Sequence, residues 1–235
     1  MTNDDLLKAA TELADAASKP YPNDSTQYRL ARTALLAEEI ELRRHIERVA
    51  AQRRALPPGG EVPQDYAFIA EDGQQVRLSE LFGDHDTLIT YIWMYGPQRE
   101  RPCPMCTSLV GAFDIPARDI TQRVSLAIIG RSPIARQIAF KRERGWRNLN
   151  FYETTSDDFP RDYRGLSPEG EEWPALNVFT RTGGVVRRFW GSELSSETAD
   201  PGQDPRDAPD PTPLWNLLDL TPAGRPADWY PKLDY

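Results

Sequence analysis

The sequence predicts an α/β protein, a central mixed sheet flanked by helices and preceded by an N-terminal helical extension. Three observations lead there. The runs Leu88–Tyr95 and Val124–Ile129 are continuously apolar and β-branched, as in strands buried on both faces, and each precedes a helix-like segment. Gly183-Gly184 joins two further apolar runs as a hairpin turn. The only two cysteines, Cys103 and Cys106, form a C-x-x-C just beyond the first run, at a strand-to-helix junction.

Composition narrows the functions open to the chain. Its 235 residues, 39% of them apolar, suffice for a sizeable core. A net charge of −8 argues against a nucleic-acid partner, because phosphate-backbone binding needs Lys and Arg gathered on one face. No apolar run approaches the roughly 20 residues of a membrane span, and the start Met1-Thr2-Asn3-Asp4-Asp5 lacks the basic and apolar regions of a secretory signal. The expectation is a cytoplasmic protein that binds neither nucleic acid nor membrane.

In chain order, residues 1–25 contain an Ala-rich amphipathic stretch with Leu6, Leu7 and Leu13, ended by Pro20 and Pro22. Thr26 to Ala55 is helical in composition, with Leu35, Leu42, Ile46 and Val49 as an apolar stripe and Pro57-Pro58-Gly59-Gly60 as its stop. That stripe suits either packing on its own domain or a dimer-forming arm. Residues 1–56 are thus read as the helical extension and residues 57–235 as the main domain.

The main domain opens with a hairpin, Tyr66–Ile69 and Gln75–Leu78 turned on Asp72-Gly73, followed by a single turn at Ser79–Gly83. Strand 88–95, the loop Gly96–Pro102, and a helix from the cysteines to about Ala117 come next. After strand 124–129, Ser132-Pro133 supplies an N-cap and first-turn proline for a helix through Arg144, closed by Gly145. Trp173-Pro174 leads into Ala175–Phe179, which turns back as Val185–Trp190. A final helix is expected over Pro213–Leu220. Ser192–Pro213, rich in Pro, Asp, Ser and Glu, reads as a solvated acidic loop.

The cysteine pair carries the chemistry. A helix start aims N–H groups and partial positive charge at Cys103 and so favours its thiolate, the form that attacks a disulfide or a peroxide. Cys106, one turn later on the same side, is placed to resolve a mixed disulfide by intramolecular attack. Arg99 and Arg101 add nearby positive charge. The same spacing also fits half of a zinc site, a structural bridge or an inert pair; a zinc site would need two further ligands, and only His45 and His85 offer imidazole. Both histidines read as ordinary helix and turn residues. Met94 and Met105 flank the pair and suit either core filling or, with two thiolates, a soft cradle for Cu(I). Pro174, at a strand entry, is expected to shape a substrate groove, its X-Pro bond held either cis or trans. Trp146, Trp190 and Tyr163 read as core or rim aromatics, and Trp173 is placed with Arg99 and Arg101 as a substrate-binding residue.

The order strand, C-x-x-C helix, strand, helix, then proline, hairpin and closing helix resembles the thioredoxin-like fold. Beyond that, Glu38–Leu56 (opening Glu-Glu-Ile-Glu-Leu-Arg-Arg), Tyr66-Ala67-Phe68, Leu78–Phe82, Tyr95-Gly96-Pro97, Cys103-Pro104-Met105-Cys106, Phe140–Trp146 and Asp219–Arg225 resemble a bacterial thioredoxin-like family, domain of unknown function 899. Membership implies architecture more strongly than activity. Better-known relatives differ at the site. Where thioredoxins place Trp before the first cysteine this chain has Pro102, and strand 88–95 has no Asp or Glu to serve as a buried proton acceptor. Peroxiredoxins resemble Pro-x-x-x-Thr/Ser-x-x-Cys, whereas Pro97 stands six residues before Cys103 and no Thr or Ser precedes the cysteine at the required spacing. Copper-delivery relatives use a histidine downstream of the dithiol, and both histidines here lie upstream.

The leading expectation is a thiol–disulfide or peroxide-linked oxidoreductase, with Cys103 as nucleophile, Cys106 as resolving thiol and Pro174 shaping the groove. No cofactor and no metal ligands are assigned. Its partner would be a disulfide-containing protein or a small-molecule thiol or peroxide, with homodimerisation through the N-terminal helix. A soft-metal module using the same thiolates, and a non-catalytic interaction protein, are the alternatives.

Overall fold

A computed structural model of the chain describes residues 7–193, 198–201 and 232–233. The chain divides into two units, Met1–Pro57 and Pro58–Tyr235.

In the first unit, α1 (Ala10–Ala17) packs on the long α2 (Thr26–Arg54). Ser25 caps α2, its hydroxyl accepting the Tyr28 N–H at 3.1 Å. The contact is made by small side chains, Ala10 and Ala14 against Ala37, with Leu36 and Ile40 beside them. The expected stripe is therefore not the packed face, since Leu35, Leu42 and Ile46 are all exposed. An alanine-rich α1 selects the neighbour that permits close approach, and Ala37 is that neighbour.

The second unit is built on a seven-stranded sheet in the order β2-β1-β5-β4-β3-β6-β7. Its strands are β1 (Ala67–Ile69), β2 (Gln75–Arg77), β3 (Thr87–Ile92), β4 (Ser125–Gly130), β5 (Phe151–Thr154), β6 (Ala175–Thr182) and β7 (Val185–Gly191). Strands β3, β4 and β5 run parallel at the centre; the β1–β2 hairpin and the β6–β7 hairpin flank them antiparallel. The helices are α3 (Pro104–Asp114), α4 (Ala117–Ile120), α5 (Ile134–Glu143) and α6 (Asp158–Asp162). A β3-α3-β4 crossover with an antiparallel hairpin beside β3 is the thioredoxin-like arrangement that the resemblance implies.

Alternation along β3 divides the core. Leu88 and Ile92 join Phe68, Ile129, Phe159 and Phe179 on one face. Tyr91 and the following Trp93 join Cys106, Val110, Ile128 and Phe151 on the other. A central strand covered on both faces buries every side chain, which is why the sequence there shows a continuous apolar run.

Several expectations need correction. Strand β5 and helix α6 were not anticipated; β5 has only four residues, too few for a periodic signal, yet it completes the sheet between β1 and β4. Ser132 does not cap α5. Its hydroxyl donates instead to the Gly96 carbonyl at 3.0 Å, while the Glu153 carboxylate accepts the Ile134 N–H at 2.7 Å. The proline at the N-cap position leaves the first free amide to a carboxylate from the neighbouring strand. Every peptide among the described residues is trans, so the cis option at Pro174 is not taken. The expected helix Pro213–Leu220 and most of the acidic loop 192–213 lie outside the described residues. Gly145 closes α5 as expected, with φ +70°.

Candidate functional site

The site begins where β3 ends. Past Ile92 the chain leaves the ladder, and Met94 presents its carbonyl to the Cys103 N–H at 3.0 Å, pinning the start of α3 to the end of the strand. Cys103 occupies the N-cap position of α3 and Pro104 its first turn, where a missing N–H costs nothing. Cys103 is half-buried, Cys106 is buried, and both are free thiols within 3.9 Å of each other.

The two sulfurs are pushed in opposite directions. Cys103 is lowered to about 6, chiefly by the hydrogen bond from Cys106, then by the first-turn amides of Cys106 and Met105 and by the Arg99 charge, against a desolvation cost. Its side chain closes no capping hydrogen bond of ordinary geometry, so those amides act on the sulfur as aligned dipoles rather than as a tight cap. Cys106 is raised well above the ordinary thiol range, because its S–H donates a hydrogen bond to Cys103 and because burial disfavours its anion. The Tyr91 hydroxyl and the Met94 amide work the other way and favour its thiolate.

The loop before Cys103 is held at several points. Arg136 of α5 donates to the carbonyls of Pro97 at 3.2 Å and Glu100 at 3.1 Å, and to that of Arg99, while its guanidinium lies 5.0 Å over the Tyr95 ring. Arg101 pairs with Glu143 and lies 5.0 Å over Phe140. Arg99 donates to Glu172 at 2.6 Å. Beneath the loop, the fully buried Gln137 accepts from the Trp93 indole at 3.3 Å and donates to the Ser132 carbonyl at 2.7 Å. Apart from the Ser132 carbonyl, these partners lie 36 or more residues away in sequence, and no local pattern marks them.

Trp173 and Pro174 enter the same end of the sheet. The last β3–β6 pair is Ile92 opposite Ala175, so Pro174 immediately precedes β6 at the end of the sheet where β3 leads into the loop before Cys103. Glu172 agrees with this, since a Cβ on Gly96 would stand 2.2 Å from its carboxylate oxygen. Both Trp173 and Pro174 are exposed. The histidines sit apart from the cysteines in bonding terms: His85 Nε2 meets the Thr121 carbonyl at 2.9 Å, and His45 Nδ1 meets Arg48 at 3.3 Å. Met94 and Cys103 pack on the apolar cluster that contains Cys106. Trp146 and Tyr163 are core residues. Among the described residues no three His, Cys, Asp or Glu side chains gather as a metal set, and no helix is long and apolar enough to cross a membrane.

The β-α-β unit with an antiparallel hairpin beside it is the thioredoxin-like arrangement, and Cys103, at the N-cap position of its helix, stands with the buried Cys106 at the end of the central strand. The family described as bacterial protein of unknown function (DUF899) matches residues 18–235, and the chain belongs to it. No curated protein matches the sequence. Among solved structures, a peroxidoxin from Mycobacterium tuberculosis is similar at 18% identity and TM-score 0.42, covering 54% of this chain and 79% of its own. A thiol peroxidase from Chromobacterium violaceum is similar at 16% identity and TM-score 0.46, with 70% and 87% covered. An exposed lipoprotein thioredoxin from Streptococcus pneumoniae has 15% identity and TM-score 0.40, with 67% and 100% covered.

Proposed function

We propose that this protein is a thiol–disulfide oxidoreductase in which Cys103 is the nucleophile and Cys106 the resolving thiol. The observation that carries the reading is the placement of the two thiols 3.9 Å apart, Cys103 half-buried at the start of α3 and Cys106 buried, which pushes the first down to about 6 and the second up. Near neutral pH such a pair stores one proton, and the accessible sulfur is the one without it.

In the first step the Cys103 thiolate attacks one sulfur of a substrate disulfide, forming a mixed disulfide and expelling the other sulfur as a thiolate that takes a proton from water. The negative charge that held the Cys106 proton is then gone. Cys106 loses its proton and attacks the Cys103 sulfur, so that an intramolecular disulfide forms and the second substrate thiol leaves. The protein dithiol is oxidised by two electrons and the substrate is reduced; a donor thiol reverses the cycle. Trp173 and Pro174, exposed just before β6, supply an apolar shelf for the substrate, and Arg99 lends positive charge to the departing thiolate.

A disulfide fits this site better than a peroxide. The nearest hydroxyl in the helix, that of Thr107, donates to the Cys103 carbonyl at 2.9 Å and is not offered to a peroxide oxygen.

The test is stoichiometry with a chromogenic aryl disulfide. Wild type is expected to release two thiol equivalents and end with a Cys103–Cys106 bond, Cys106→Ser to stop at one equivalent as a mixed disulfide, and Cys103→Ser to release none rapidly. Equal, slow reaction of both cysteines with an ordinary thiol acidity at each would overturn the reading.

A further inference from the structure

The resolving thiol needs help that the first step does not. Cys106 is 2% exposed and stands within the apolar cluster of Trp93, Leu109, Val110 and Phe151. Water cannot solvate its anion there, and burial of an uncompensated thiolate raises the barrier to the second attack. Strand β3, where an acidic side chain would serve, reads Thr-Leu-Ile-Thr-Tyr-Ile. Two of its hydroxyl residues, Thr87 and Tyr91, fall on the helix face, and Tyr91 is the one at the end of the strand that leads to the cysteines. Thr90 points to the opposite layer with Leu88 and Ile92, whereas Tyr91 shares the cluster of Cys106. The Tyr91 ring is 4% exposed and is fixed edge-on to Phe113 with centroids 6.1 Å apart. Its hydroxyl, in the same cluster as Cys106, acts on that thiol in the direction that favours the thiolate.

We infer that Tyr91 is a catalytic residue of the resolving step, donating its hydroxyl hydrogen to the Cys106 sulfur as that sulfur loses its proton and attacks Cys103. This rests on the oxidoreductase reading above. The balance is simple. Once Cys103 is in a mixed disulfide, the Cys106 proton goes to water or to the departing thiolate, and the charge left on Cys106 is met by the Tyr91 O–H and the Met94 N–H until the S–S bond forms. Tyr91 keeps its own proton throughout. A donor suffices here because a hydrogen bond to a buried anion is stronger than one to the neutral thiol, so it favours the reacting form over the resting one. The titratable groups facing Cys106 are Cys103 and Tyr91; Tyr95 lies in the same cluster, and the Arg99 charge bears on Cys103.

The experiment separates two releases from one aryl disulfide. In Tyr91→Phe the first equivalent, from Cys103, is expected at near the wild-type rate, while the second slows about ten- to a hundredfold and its pH midpoint moves upward. Phe113→Leu disturbs the ring packing and keeps the hydroxyl; its second release should stay near wild type and its midpoint unmoved. Tyr91→Leu, also without a hydroxyl, replaces Tyr91→Phe if that variant fails to fold. A second release with unchanged rate and midpoint in the hydroxyl-free variant would overturn the role of Tyr91 while leaving the dithiol cycle standing. Absence of even the first release in wild type would instead remove the cycle itself.

Discussion

Arg99 Nε donates to a Glu172 carboxylate oxygen at 2.6 Å, and that one contact ties the loop before the nucleophile to the residue before Trp173. The other carboxylate oxygen stands 3.6 Å from Arg131 Nη1, so Glu172, 12% exposed, sits between two guanidinium groups. Both sides of the proposed groove therefore share a fastening.

Glu172→Gln keeps the shape and removes the charge. It is expected to destabilise the protein by about 1–3 kcal/mol, the range for a charged hydrogen bond lost from a buried place. Gly96→Ala should act in the same direction, because its Cβ would meet the Glu172 oxygen at 2.2 Å. Urea unfolding midpoints equal to wild type in both variants would show that the fastening contributes nothing.

Cys106→Ala removes the largest influence on Cys103. The alkylation midpoint of Cys103, expected at about 6 in the intact pair, should rise toward the unperturbed thiol value of about 8.5. The rate of iodoacetamide labelling against pH measures it directly, and an unmoved midpoint would mean that helix dipole and Arg99 alone acidify the nucleophile.

The same acidity couples to stability. Cys103 has a folded value depressed to about 6, below an unfolded value of about 8.5. Between these limits the unfolded chain binds the extra proton, so wild type gains stability over Cys103→Ser as pH rises. The advantage is fully present above the upper limit and is lost as pH falls through the lower one. Cys106 is shifted the other way, and its opposing contribution begins only above the unfolded thiol value. Unfolding free energies of the two proteins across this window should diverge with increasing pH; parallel curves would contradict the assignment.

Thr90 presents the opposite case. Its side chain is fully buried in β3 and its hydroxyl has no hydrogen-bond partner among the described residues. Thr90→Val exchanges that hydroxyl for a methyl of like shape and should be neutral or stabilising by up to about 1 kcal/mol, since an unpaired buried hydroxyl costs free energy. A clear fall in the thermal midpoint would reveal a partner for the hydroxyl.

Trp173→Ala should leave the labelling of Cys103 by a small alkylating agent unchanged and slow its reaction with a peptide disulfide severalfold. A 45% exposed indole contributes contact area to a substrate and little to the fold. Equal rates toward the peptide in both proteins would remove Trp173 from the groove.

The elements around the site were legible in the sequence wherever a long apolar run or a turn dipeptide marked them, as at β3, β4 and the β6–β7 hairpin. Strand β5 was not, because four residues carry no period, and neither was the cap of α5, where Glu153 from another strand serves in place of Ser132. Tyr91 was hidden for a related reason. Within a run buried on both faces nothing in the letters tells which side chains meet the helix.

By itself the sequence determined the sheet-and-helix class, the family, and the placing of both cysteines at a strand-to-helix junction, because burial patterns, turn residues and spacing along one segment are local properties. The tertiary structure alone decided that Cys106 is the largest influence on the acidity of Cys103, which residue of β3 bears on Cys106, and how Arg99, Arg136 and Glu172 hold the loop between them. Those outcomes depend on distances between segments far apart in the chain, and electrostatic influence follows distance through space rather than along the backbone.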